Sequence, residues 1–209
     1  MLICKLCFKP LKQSNLTSLF AKHTMFCGTC LNSLNPLFKR TKLEGFEVMY
    51  IYEYDEVIRS LLYQLKGTDD YELYPLFLSR FAFYLRRLFK DYVLVPAPSS
   101  SEDDLRRGFN HVEVIFGVLN LPFIKAVKKT SSIKQTERSK EERKLINDNL
   151  QLTNESKQLG GKKILLVDDV LTTGSTLKAL ANLITPLSPK KIKILVLAKV
   201  VKDSSNNPI

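Results

Sequence analysis

The sequence predicts an α/β fold, with a mostly parallel sheet flanked by helices, behind a small N-terminal module built around cysteines. Two observations support this prediction. Strand and helix patterns alternate after Lys42, and all four cysteines lie in the first 30 residues. A chain of 209 residues, 44% of them hydrophobic, can bury an ordinary core without disulfides. We therefore expect two units, residues 1–42 and 43–209.

Apolar spacing defines the expected elements of the second unit. It predicts strands at 46–52, 92–95, 163–167 and 192–197, and helices at 55–66, 71–90, 110–120 and 175–184. Ser139 and Glu142 form a possible capping box for a further helix to about residue 146. The polar segment 130–142 contains no glycine and predicts a long excursion of the kind that often forms an active-site lid.

The charge balance favours an anionic partner. Lys and Arg number 32 against 21 Asp and Glu, a net charge of +11, which suits nucleic acid or phosphorylated ligands, although a solvated lysine-rich surface would give the same balance. The N-terminus has no secretory signal pattern, and no apolar run is long enough to span a membrane. We therefore expect a cytoplasmic protein, in which cysteines more often bind metals than form disulfides.

The cysteines form two C-x-x-C pairs, Cys4 with Cys7 and Cys27 with Cys30, at zinc-ribbon spacing. Two such pairs can complete a tetrahedral thiolate site that leaves no position open for water, so the predicted zinc is structural. A thioredoxin-like redox motif would explain one pair but not two. His23 could replace a thiolate, although a solvent-facing role is the alternative.

The segment ILLVDDVLTTGSTL at residues 164–177 carries the most specific chemistry. A buried strand is followed by Asp168 and Asp169, whose carboxylates can accept hydrogen bonds from paired ribose hydroxyls. A hydroxyl-rich loop then leads into a helix, whose N-terminus favours a phosphate. The loop residues are Thr172, Thr173, Gly174, Ser175 and Thr176. The alternative is an ordinary helix cap, which needs only one hydroxyl.

This segment resembles the phosphoribosyl-pyrophosphate (PRPP) motif of the type I phosphoribosyltransferases. The resemblance implies that the two aspartates hold the ribose hydroxyls and that residues 172–176 bind the 5′-phosphate. It also implies Mg²⁺ as the ion that bridges the pyrophosphate.

The whole chain resembles the ComF (GntX-like) family, which joins a Cys4 zinc module to a phosphoribosyltransferase domain. The resemblance rests on the cysteines and on LLYQLKGTDD, LVPAPSS, LRRGFNH and KQTERSKEERKLIND. It implies that Lys66 and Gly67 belong to the pyrophosphate loop, although a helix end with a glycine stop would look alike. Four arginines are candidate phosphate or lid contacts, with a solvated surface as the alternative: Arg106, Arg107, Arg138 and Arg143. His111 departs from the family pattern, in which Gln commonly follows RGFN.

Three functions remain open at this point. The ComF resemblance implies a protein that binds PRPP or a related ligand and assists uptake of transforming single-stranded DNA alongside competence proteins. The second is a metabolic phosphoribosyltransferase that transfers phosphoribose to a nitrogenous acceptor, although no segment is recognisable as a hood for an acceptor base. The third is an interaction module on an inactive enzyme fold.

Overall fold

A computed structural model describes residues 3–11, 25–130 and 150–201. It contains a five-stranded sheet in the order β1-β2-β7-β6-β3, in which only the β1–β2 pair is antiparallel. A short antiparallel pair, β4–β5, forms a second sheet. The strands are β1 (Lys39–Leu43), β2 (Phe46–Glu53), β3 (Tyr92–Pro96), β4 (Val127–Lys129), β5 (Leu150–Leu152), β6 (Lys163–Leu171) and β7 (Lys191–Lys199).

Seven α-helices accompany these strands within the described residues. They are α1 (Gly28–Ser33), α2 (Glu56–Gly67), α3 (Tyr74–Leu78), α4 (Ala82–Leu88), α5 (Ser101–Arg107), α6 (His111–Gly117) and α7 (Ser175–Ile184). Short 3₁₀ turns lie at Tyr71–Leu73, Ser79–Phe81, Asn154–Leu159 and Thr185–Leu187. None of the helices seen in these ranges is long and apolar enough to cross a bilayer.

Both faces of the main sheet are buried. Along β6, Ile164 and Leu166 pack into one cluster with residues of α7, whereas Leu165 and Val167 pack into another with residues of α2, α3 and α6. This alternation follows from the two-residue period of a strand. Because both faces are covered, a ligand reaches the sheet most readily at the edge where the parallel strands end.

The predicted α/β architecture is confirmed, and several element boundaries match closely. Asp55 caps α2, since its carboxylate accepts a hydrogen bond from the amide of Ile58 at 2.8 Å. Helix α7 has the predicted bounds. Asn110 caps α6 in the same way, although that helix ends at Gly117 instead of continuing to residue 120.

The single helix predicted at 71–90 is wrong. The structure divides this segment into a 3₁₀ turn, α3, a second 3₁₀ turn and α4. Pro75 lies in the first turn of α3, where its missing amide is tolerated, and it cannot continue a helix from Tyr71. Of the apolar residues expected to form a core stripe here, Leu73, Leu76 and Phe77 are buried, whereas Tyr84 and Leu88 are exposed.

Four strands differ from the sequence prediction, and of these β4 and β5 are short strands that it did not include. Strand β6 continues four residues past Val167 and contains both aspartates, paired with β7 through Leu171. Strand β1 was not predicted, because its sequence KRTKL is charged and lies at the sheet edge, where burial does not impose an apolar pattern. The boundary expected after Lys42 falls inside β1.

The cysteine module packs against the rest of the protein. Cys4, Phe26 and Cys30 belong to the same apolar cluster as Phe77 and Leu165. The predicted capping box, Arg138, Arg143 and His23 lie outside the described residues.

Candidate functional site

The loop between β6 and α7 forms a narrow cleft at the carboxyl end of the sheet. Its volume is about 30 Å³, and it is lined by Asp168, Val170, Thr172, Gly174, Ser175, Thr176 and Leu177. Helix α7 begins at Ser175, so the partial positive charge of its N-terminus lies at this cleft. The loop hydroxyls are close together, with Thr173 Oγ1 3.3 Å from Ser175 Oγ. The structure therefore brings the predicted hydroxyl loop and one of the two acids into one cleft.

Gly174 makes the sharp turn into α7 possible. Its φ is +79°, in the left-handed region that side chains disfavour. A Cβ at this position would also lie 2.7 Å from Leu43 Cδ1 and 3.1 Å from Leu171 Cδ1. Both the backbone and the packing thus require glycine here.

Asp168 lines the cleft, and protein atoms surround much of its carboxylate. Its Oδ1 accepts a hydrogen bond from the amide of Asp169 at 2.9 Å. Burial raises the pKa of Asp168, and the adjacent charge of Asp169 raises it further. A ligand that donates hydrogen bonds to Asp168 would relieve this unfavourable environment.

Asp169 is buried and held by two side chains from distant parts of the chain. Its Oδ2 forms an ion pair with Lys66 Nζ at the end of α2 and lies 3.4 Å from His111 Nε2 at the start of α6. Burial alone would raise the pKa of Asp169, but the contacts with His111 and Lys66 lower it below its usual range. Asp169 thus has two protein partners, and its predicted contact with ribose hydroxyls stays a prediction.

Lys66 and Gly67 end helix α2, and Thr68 caps it with a φ of −109°. Gly67 is thus a helical residue, not a left-handed stop. The structure places Lys66 beside Asp169. The segment that the family resemblance assigns to the pyrophosphate therefore lies next to the acid pair.

Arg106 and Arg107 have different surroundings. The Arg106 side chain is half exposed, and its guanidinium lies 3.4 Å from both Asp69 Oδ2 and the Lys66 carbonyl oxygen. The Arg107 side chain is 5% exposed and contacts His111 Nδ1 at 2.8 Å. Arg106 thus remains accessible beside Lys66, whereas the buried Arg107 contacts His111 and Asp103.

His111 is the one site contact that the sequence did not predict as functional. It is 8% exposed and lies between Arg107 and Asp169. The sequence signal was that His111 stands where the ComF pattern commonly has Gln. This difference did not indicate which residue His111 would contact. Its contact with Asp169 joins residues 58 positions apart and depends on the packing of α6 against β6.

The four cysteine sulfurs lie within 4.8 Å of one another. The Cys4–Cys30 and Cys7–Cys27 Sγ distances are 3.8 and 3.6 Å. A tetrahedron with metal–sulfur bonds of about 2.3 Å has edges of about 3.8 Å, so the spacing fits a tetrahedral ion. The amide of Cys27 also donates to Cys4 Sγ at 3.2 Å, which favours a thiolate there. This cluster can hold a metal such as zinc.

A larger cavity, of about 370 Å³, lies at the opposite end of the sheet. It is lined by Arg40, Thr41, Lys42, Glu47, Val48, Met49, Leu88, Phe89, Tyr92, Lys193 and Ile194. The acids and the hydroxyl loop do not border it. Although ligands usually occupy the larger cavity of a protein, we take the smaller cleft as the candidate site, because the acid and the loop hydroxyls line it.

Comparison with known proteins agrees with this geometry. Residues 105–206 match the family model described as "Phosphoribosyl transferase domain". The chain is 32% identical to the competence protein ComFC of Bacillus subtilis over 129 residues, which cover 61% of this chain and 53% of the relative. It is 27% identical to ComFC of Streptococcus pneumoniae over 158 residues, which cover 75% and 70%. The chain thus matches only about half the length of the Bacillus relative.

Among solved structures, a hypoxanthine-guanine phosphoribosyltransferase from Bacillus anthracis is similar, with 16% sequence identity and a TM-score of 0.40. The match covers 67% of this chain and 76% of that chain.

Proposed function

We propose that this chain is a ComF-like protein with a phosphoribosyl transferase domain, and that its β6–α7 cleft binds PRPP or a related phosphoribosyl ligand. One observation carries the proposal. A carboxylate, several hydroxyls and a helix N-terminus converge among the seven residues that line one cleft. These are the groups that recognise the two ends of a ribose 5-phosphate.

The 5′-phosphate fits the narrow part of the cleft. Thr172, Ser175 and Thr176 supply hydroxyls there, and α7 supplies its dipole. A volume of about 30 Å³ accommodates a phosphate group but not a whole PRPP molecule, so the sugar extends along the open edge toward Asp168. In this pose the ribose hydroxyls donate to the aspartates.

The diphosphate would extend toward Lys66, which pairs with Asp169, and toward Arg106, which lies beside the Lys66 carbonyl oxygen. Lys66 is one-third exposed, which allows its ammonium to exchange Asp169 for a phosphate oxygen. Mg²⁺ accompanies the diphosphate and neutralises part of its charge. Arg107 has no place in this contact, because its guanidinium is buried against His111 and Asp103.

For the cysteine cluster we propose a structural zinc ion. Four sulfur ligands leave no open coordination position for a reacting group. The cluster packs into the core through Cys4 and Cys30, so the ion would fix the N-terminal segment against the main sheet.

We further propose that the protein binds single-stranded DNA, a role that agrees with the competence names of its relatives. The observation that favours it is the outer face of α4, where Phe83 is 82% and Tyr84 is 51% exposed beside the exposed Arg86 and Arg87. Aromatic rings and arginines together form a surface on which bases stack and phosphates are paired. Leu88, one turn after Tyr84, borders the 370 Å³ cavity.

Calorimetry with Mg·PRPP, ribose 5-phosphate and pyrophosphate tests the pocket. We expect Mg·PRPP to bind best, with weaker binding of ribose 5-phosphate, because the cleft recognises the phosphate and the ribose together. Absence of binding by both ribose phosphates would overturn the assignment. Asp168→Asn keeps the shape of the side chain and should lower the affinity about tenfold or more.

The DNA surface is tested separately with a single-stranded oligonucleotide. The variant Phe83→Ala/Arg86→Gln/Arg87→Gln should bind more weakly and with a shallower dependence on salt, since fewer phosphates are neutralised. Arg59→Gln/Lys157→Gln, which removes two exposed positive charges away from α4, is the matched control for lost charge. Equal loss in both variants would show that only net charge matters and would contradict the proposed surface.

A further inference from the structure

We infer that His111 is a positioning residue for Asp169, and that Arg107 selects the histidine tautomer that performs this role. The inference rests on the proposed function, because it concerns the orientation in which Asp169 meets a ribose hydroxyl. It goes beyond that function by assigning a role to a residue outside the PRPP-like segment and to an arginine that does not contact the ligand.

The tautomer follows from the contact between Arg107 and His111. An arginine guanidinium has only donors, so the Nδ1 atom 2.8 Å from it must accept the hydrogen bond and carry no proton. The ring proton of the neutral imidazole then lies on Nε2. This atom is 3.4 Å from Asp169 Oδ2, so the carboxylate is the acceptor within its reach.

Arg107 is itself fixed. Its side chain is 5% exposed, its Nε donates to the Asp103 carbonyl oxygen at 3.0 Å, and its guanidinium lies 3.7 Å from the Asp103 carboxylate. His111 begins α6, whose entry is held by the Asn110 cap. A buried series of contacts therefore runs from α5 through His111 to β6, and it limits the orientations available to Asp169.

The charges around His111 explain why a neutral ring is needed. Lys66 from α2, Arg107 from α5 and Asp169 from β6 all face this group, and Asp168 is adjacent. Protonation would place a donor on Nδ1 against a guanidinium that can only donate. The contact with Arg107 would break, and a third cation would stand beside Lys66 and Arg107.

Glutamine can reproduce both contacts of this tautomer. Its amide oxygen accepts from Arg107, and its NH₂ group donates to Asp169. Glutamine does not titrate, so it should keep the geometry across a wider pH range. Alanine removes both contacts and leaves the buried Arg107 without its acceptor on α6.

The first test is NMR of the ¹⁵N-histidine-labelled full-length protein without ligand. The chain has two histidines, so His111→Gln identifies the signal of residue 111. We expect the Nε2–H tautomer at neutral pH, and a mixture of tautomers in Arg107→Met. An Nδ1–H tautomer or an imidazolium at neutral pH would overturn the inference, whatever the ligand proves to be.

The second test measures the affinity for Mg·PRPP at neutral pH and under mild acid. His111→Ala should bind about tenfold more weakly, because a buried, charge-assisted contact to Asp169 is lost. His111→Gln should bind within about twofold of the wild type at neutral pH and lose less affinity on acidification. Circular dichroism checks that both variants fold.

The outcomes separate the two claims. If the wild type does not bind Mg·PRPP, the proposed function fails and the NMR test still decides the tautomer. If the wild type binds and His111→Ala binds equally well, the positioning role is wrong while the site stands. Equal losses in the Ala and Gln variants would likewise contradict a role in hydrogen bonding.

Discussion

Lys66 at the end of α2 forms an ion pair with Asp169 in β6, 103 residues later in the chain. The pair joins the segment assigned to the diphosphate to the acid pair assigned to the ribose. Because the Asp169 side chain is 11% exposed, its charge depends on this partner and on His111. The contact thus joins α2 to β6 at the candidate site.

Lys66→Met should lower the free energy of unfolding by about 1–2 kcal/mol near pH 7, since a partly buried carboxylate loses its cation. The pKa of Asp169 is lowered in the folded state, so this stabilisation is present above the unfolded carboxyl pKa and is lost as pH falls through the folded value. The difference between wild type and variant should therefore shrink below about pH 4. Denaturant unfolding at several pH values measures it. Lys39→Met, which breaks an exposed pair with Glu53, is the control and should have little effect.

Asp168 should behave in the opposite way. Its pKa is raised in the folded state, so the folded protein retains a proton that the unfolded chain releases, and stability decreases as pH rises above the ordinary carboxyl pKa. Asp168→Asn removes this effect. We expect the variant to be more stable than the wild type by on the order of 1 kcal/mol at pH 8 and by less at pH 5. A thermal melt at each pH checks the sign, and a larger gain at pH 5 would contradict it.

The contrast between these acids shows what the sequence can and cannot predict. The spacing of acids, hydroxyls and Gly174 predicts the cleft, because those residues are neighbours in the chain and the strand, loop and helix are local structures. The partners of Asp169 come from α2 and α6. Their contacts depend on tertiary packing, and no local pattern encodes them.

The same reasoning applies to the fold. Helix α7 was predicted with its observed bounds because an apolar stripe follows a clear glycine and hydroxyl start. Strand β1 was missed, since an edge strand with sequence KRTKL has no apolar period. The helix predicted at 71–90 is wrong, because the apolar spacing continues through Pro75 whereas a helical backbone from Tyr71 does not.

Gly174→Ala should destabilise the protein by about 1–3 kcal/mol and weaken ligand binding. The new Cβ would be strained at a φ of +79° and would meet Leu43, so the turn into α7 has to shift. Gly117→Ala is the matched control, because a Cβ there meets nothing within 4 Å and the backbone has no positive φ. Thermal melts and calorimetry of both variants test the prediction. Equal stability of the two variants would argue against the required turn.

The cysteine cluster should bind one zinc ion per chain, measured by elemental analysis of protein purified without added metal. Cys4→Ser should lose the ion and lower the melting temperature, because Cys4 is fully buried and joins the cluster to the core. A strong chelator should have the same effect, and added zinc should reverse it. Full stability after complete removal of the metal would contradict a structural role.

The most direct test of the account is a backbone NMR titration with Mg·PRPP. If the β6–α7 cleft is the sugar-phosphate site, the amides of Gly174, Ser175 and Thr176 shift first and most, while those of Met49 and Tyr92 at the 370 Å³ cavity remain unchanged. Shifts confined to the cavity residues, or none at saturating ligand, would contradict the central claim.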